Sequence, residues 1–149
     1  MAEGECGMSD LYDTDVLVWS ERQAALLRRL AAGERVNDDP DWPNIIEEIE
    51  SVGRSELNTV RSLLRQALVH RLKAVAWPHV RDVEHWLEEA AEFQAQARDS
   101  FSPSMRTRID LEAICRLAVG QLPKTIDGQP PLPVPAACPF TLDTLLAPP

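Results

Sequence analysis

The sequence predicts an all-α protein, a helical bundle of about four main helices with one long central helix, a proline-rich C-terminal strap and a short final helix. Three observations support this. From Asn44 to Trp77 the chain has no proline, and Ile45, Ile46, Ile49, Val52, Leu57, Val60, Leu64, Leu68, Leu72 and Val75 recur at helical spacing. Gly33, Pro78 and Pro123 separate this stretch from its amphipathic neighbours. No segment alternates apolar and polar residues as a half-buried strand does.

Taken in order, residues 1–9 lack apolar periodicity and are expected to be loose. From Asp13 to Ala32, the pattern Val16, Trp19, Gln23, Leu26, Leu27, Leu30 predicts a helix capped by Asp13 or Thr14 and ended by Gly33. Asn37-Asp38-Asp39-Pro40-Asp41-Trp42-Pro43 reads as a turn-rich connection, with Trp42 as a plug where the chain enters the long helix. That helix would span about 50 Å at roughly 1.5 Å per residue. Gly53 lies inside it on the apolar side, which points to a close helix crossing or a kink. Trp77-Pro78 ends it.

A third helix is expected over Val80 to Arg98, with Val83, Trp86, Leu87, Ala90, Phe93 and Ala97 inward. Ser102-Pro103 is a cap followed by proline at the first helical position, and a fourth helix follows to about Gln121. The proline-rich strap occupies 123–140 and cannot be regular helix or central strand. It is expected foremost to be a spacer across its own bundle, and Pro130-x-x-Pro133 also suits polyproline II recognition. Thr141 then caps a short turn through Leu142, Leu145 and Leu146.

A length of 149 residues suits a single domain, 1–149, that needs neither disulfide nor structural metal. Cys6, Cys115 and Cys138 are far apart and odd in number, which suits a reducing compartment. An acidic N-terminus and the lack of a membrane-length apolar run point to a soluble, cytoplasmic protein without a membrane partner. The net charge of -9 disfavours wholesale polyanion binding. The basic residues Arg54, Arg61, Arg65, Arg71 and Lys73 nevertheless make a stripe, read foremost as a solvated helix face.

Leu11-Tyr12-Asp13-Thr14-Asp15, Trp19, Gln23 and Trp42 lead into Ile46-Glu47-Glu48-Ile49-Glu50-Ser51-Val52-Gly53-Arg54-Ser55-Glu56. His70-Arg71-Leu72-Lys73 before Trp77, Trp86, Ser102-Pro103-Ser104-Met105 and Cys138-Pro139-Phe140-Thr141-Leu142 follow. Together they resemble the bacterial family called domain of unknown function 29, over nearly the whole chain. The resemblance implies a helical bundle and no activity.

Three functional readings stand beside it. Foremost is a non-enzymatic module acting through protein-protein contacts as a homodimer, with Glu47, Glu50, Arg54, Glu56, His70 and Lys73 as a polar network that fixes helix register. The alternative is a small metal-assisted hydrolase using Glu50, Glu56, His70 or His85. Its candidate ligands are Glu50, His70, Asp82 and His85, and Asp82-x-x-His85 is the one match to a bundle metal motif. His70 lies about six turns from Glu50 on one helix, so no resident metal or cofactor is expected. The third reading is nucleic-acid contact through the basic stripe. A serine nucleophile elbow and a phosphate-cradling glycine loop are both missing.

Overall fold

The computed structural model describes residues 8–149, with side chains from Asp10 onward. Of the stretch 1–9 expected to be loose, residues 1–7 lie outside the described residues, as does Cys6. The helices are α1 (Met8–Thr14), α2 (Val16–Ala31), α3 (Trp42–Ala76), α4 (Val83–Ser100), α5 (Leu111–Gly120) and α6 (Leu142–Leu146), with a 3₁₀ turn at Pro103–Arg108. There is no strand among the described residues. The chain divides into two compact units, one up to Arg54 and one from Ser55 to Pro149.

The first unit holds α1, α2 and the start of α3. The expected first helix is two helices, because Asp15, not Asp13 or Thr14, caps α2 by accepting the Val18 N–H at 3.1 Å. Gly33 ends α2 as expected. At φ +78° it lets its own N–H reach Leu30 O at 2.9 Å and the Glu34 N–H reach Arg29 O at 3.0 Å, the paired bonds of a Schellman motif.

Asp41 then organises the entry to α3. Its backbone N–H donates to Gln23 Oε1 at 2.8 Å, and its carboxylate accepts from Trp19 Nε1 at 3.0 Å and Asn44 Nδ2 at 2.7 Å. Gln23 and Trp19 are each only 3% exposed, so these bonds satisfy groups that would be costly to bury alone. Trp42, expected as the plug, is instead 48% exposed, and Trp19 fills that place.

The second unit packs around α3. Val60, Leu64, Leu68 and Leu72 recur every four residues and are fully buried, joined by Ala97, Met105, Ile114, Ala118 and Leu145. Burial of such a set is the main stabilising term of the unit. The expected helix from Ser102 to Gln121 is broken. Ile109 is extended at φ -97°, ψ 112°, and Asp110 caps a new helix by accepting the Ala113 N–H at 3.0 Å. The break turns Ile109 and Met105 into the same core.

The strap is a packing element. Asp127 and Gly128, at φ 50° and 74°, reverse it in a tight two-residue turn closed by paired Ile126–Gln129 backbone bonds. Gln129 O accepts from Trp77 Nε1 at 2.9 Å, and the Leu132 N–H donates to Ala76 O at 2.8 Å. Ile126 and Val134 pack on Ala76, Trp77 and Trp86. Thr141 caps α6 in a capping box with Thr144.

Candidate functional site

In the first unit, α3 presents Glu47, Glu50 and Arg54 together. Arg54 pairs with Glu47 across two turns and stands 3.6 Å from Glu50 across one. All three side chains are more than half exposed, so the cluster contributes less than about 1 kcal/mol. Glu56 is also exposed.

Other side chains join the helices of this unit. Tyr12 donates to Glu48 Oε1 at 2.6 Å and meets the Trp19 ring edge-on at 4.8 Å between centroids. That hydrogen bond to Glu48 is the main cause holding the Tyr12 phenol above its ordinary pKa. Trp19, Gln23 and Asp41 complete the set. Trp19 and Gln23 were legible in the helical pattern of α2, and Tyr12 only through the family resemblance.

One face of this part of α3 is apolar and uncovered. Trp42, Ile46, Ile49 and Val52 are 48%, 53%, 68% and 64% exposed, at spacings that keep them on one side of the helix. Gly53 falls on the same side, and a Cβ built there would meet nothing within 4 Å. Neither the expected burial of Ile46, Ile49 and Val52 nor a crossing at Gly53 is present among the described residues of the first unit. The periodicity identified the apolar face but not whether anything covers it. Elsewhere in the unit an open cleft of about 710 Å³ carries Arg22 and Arg29 against Asp38 and Asp39 and therefore has no dominant charge.

In the second unit, the chemistry gathers on Glu89 of α4. His70 Nδ1 stands 3.1 Å from Glu89 Oε2 without the alignment of a hydrogen bond, and His85 Nε2 lies 3.5 Å from Glu89 Oε1. The His70 ring stacks on Phe93 at 5.7 Å. Lys73 Nζ lies 5.5 Å above the Trp86 ring. Asp82 is exposed at the start of α4, where its carbonyl accepts the Trp86 N–H. Of the four residues weighed as metal ligands, His70 and His85 meet at Glu89, while Glu50 lies beside Arg54. No group of three or more His, Cys, Asp or Glu among the described residues converges as a metal site.

Burial pushes the His70 pKa below 6.5, and the nearby Glu89 charge opposes the shift. The folded state therefore holds this proton less tightly than the unfolded chain does. The resulting stability is present above about pH 6.5 and is lost as pH falls below it. In an NMR titration the His70 ring resonance is expected to have its midpoint below 6.5, and Glu89→Gln should lower that midpoint further. A midpoint above 6.5 would contradict the burial account.

Internal contacts use much of the basic stripe. Arg61 donates to Arg108 O at 2.6 Å, Arg71 lies 4.8 Å over the Phe140 ring and reaches Gln94, and Lys73 covers Trp86. No helix among the described residues is long and apolar enough to cross a membrane.

A family model described as "Domain of unknown function DUF29" matches residues 11–149. A crystal structure at 1.45 Å of an alpha-helical protein of unknown function from Rhodospirillum rubrum ATCC 11170 is similar at 35% identity. The match covers 91% of this chain and 88% of that one, with a TM-score of 0.66. No curated protein is matched.

Proposed function

Since the chain belongs to the DUF29 family, whose description names no activity, we propose that it is a non-enzymatic, cytoplasmic helical module that acts through protein contacts and assembles as a homodimer. The uncovered stripe Trp42, Ile46, Ile49 and Val52 carries this reading. At the observed exposures it presents on the order of 400–500 Å² of surface, within the range of the largest patch on a typical monomer, which is often functional.

A second copy is the occupant. An apolar stripe is complementary to itself about a two-fold axis and requires no opposite charge from its partner. Two stripes laid together would cover roughly 900 Å², more than half of the roughly 1,600 Å² buried in a standard interface. Gly53 on the same face would let the two backbones approach closely, and no described residue lies within 4 Å of a Cβ built at that position.

Size exclusion with light scattering tests this. The wild type should scatter as a dimer, and Ile49→Glu with Val52→Glu as a monomer with unchanged helical circular dichroism. A monomeric wild type at high concentration would refute the proposal. The hydrolase reading draws less support, because its carboxylate and imidazole candidates are divided between Arg54 and Glu89.

A further inference from the structure

Beyond the His70–Glu89 cluster, a second set of reactive side chains sits where the strap crosses α5. The Cys138 N–H donates to both carboxylate oxygens of Glu112, at 3.2 and 3.1 Å. Glu112 and Cys115 are three residues apart on α5 and share a face, so this anchor sets Cys138 beside Cys115. Both are free thiols, Cys138 lies near enough to act on the ionisation of Cys115, and both line a cavity of about 220 Å³ with Arg116 and Val134. Their accessibility differs. Cys115 is 4% exposed, whereas Cys138 is half-buried on a segment without regular structure.

We propose that Cys115 and Cys138 are an oxidisable dithiol, which a hydroperoxide converts into an intrachain disulfide that fastens the strap to α5. Cys138, the accessible thiol, reacts first. Its sulfur attacks the terminal peroxide oxygen, the O–O bond breaks, and one molecule of water or alcohol leaves, giving a sulfenic acid at Cys138. The Cys115 sulfur then attacks the Cys138 sulfur. The S–O bond breaks, and the hydroxyl departs with the Cys115 proton as water. The two thiols lose two electrons and two hydrogens, and the peroxide is reduced by the same two electrons.

Burial supports this order of events, since it pushes the Cys115 thiol up to about 12 and leaves little thiolate there to react with free oxidant. Contact with Cys138 compensates in the second step, because an adjacent thiol attacks as an intramolecular nucleophile.

The test uses full-length protein carrying Cys6→Ser, treated with hydrogen peroxide and then with an alkylating agent. Intact mass should show loss of two hydrogens and no alkylation, and peptide mapping should join the segments holding Cys115 and Cys138. The oxidised protein should melt roughly 5–10 °C higher, as expected for closing a loop of this length. With Cys115→Ala added, the reaction should stop at a sulfenic acid on Cys138 that dimedone traps. Cys138 over-oxidised to sulfinic acid without a cross-link, a disulfide formed only between chains, or two unreacted thiols would each overturn the proposal. The first measurement leaves Cys115 and Cys138 in place, so a misfolded Cys115→Ala protein would not rescue the proposal.

Discussion

Leu68→Ala lowers the urea-unfolding free energy by about 2–5 kcal/mol, the range for truncating a large side chain in a closed core. Leu68 is fully buried in the second unit, among a cluster that includes Leu64, Leu72, Ile114 and Leu145. Removing three carbons there loses the transfer energy of the buried atoms. It also leaves a void that Leu64 and Leu72, fixed one turn away on the same helix, cannot fill. The urea midpoint should fall with little change in slope. Ile49→Ala on the same helix is the control. Ile49 is 68% exposed in the single chain, so the isolated monomer should lose no more than about 0.5 kcal/mol. Equal losses at both positions would mean that the two stretches of α3 are equally covered.

Asp41→Ala should destabilise the first unit by about 2–4 kcal/mol. The substitution removes one carboxylate that accepts from Trp19 and Asn44 at the start of α3. The larger loss comes from Trp19 Nε1. That ring is 3% exposed, and its N–H would be left buried without a partner. Asp41→Asn keeps an acceptor oxygen and should recover much of the difference, which separates the hydrogen bond from the charge. Tryptophan fluorescence during denaturation reports the change, and a variant as stable as the wild type would show that solvent reaches Trp19.

The helices themselves were largely legible in the sequence, because Gly33, Pro78 and Pro123 act on the backbone locally and the same way in any context. Long-range structure was not. The segment Met8–Thr14 has no apolar period, so α1 left no signal apart from its family resemblance. Asp13, Thr14 and Asp15 are all competent caps within three residues, and only the helix start distinguishes them. Glu89 stands four residues after His85, a spacing that pairs side chains on a helix, but nothing in its neighbours marks it as the glutamate that also faces His70. Ile49 and Leu68 belong to the same periodic pattern, yet one is exposed and the other buried. Periodicity specifies a face, and tertiary structure decides what lies against it.

The bond from Leu132 to Ala76 also bears on the order in which the protein is made. Pro78 stops α3 and leaves its last carbonyls without helical donors, and the strap supplies one of them. The neighbouring Trp77–Gln129 bond joins residues 52 positions apart. On a ribosome, α3 therefore emerges with an unfinished end that must wait while α4, α5 and the turn at Asp127-Gly128 are synthesised. Trp77 lacks its Gln129 partner and its cover from Ile126 and Val134 through that interval, and nascent chains halted before Gln129 should be the species that chaperones bind.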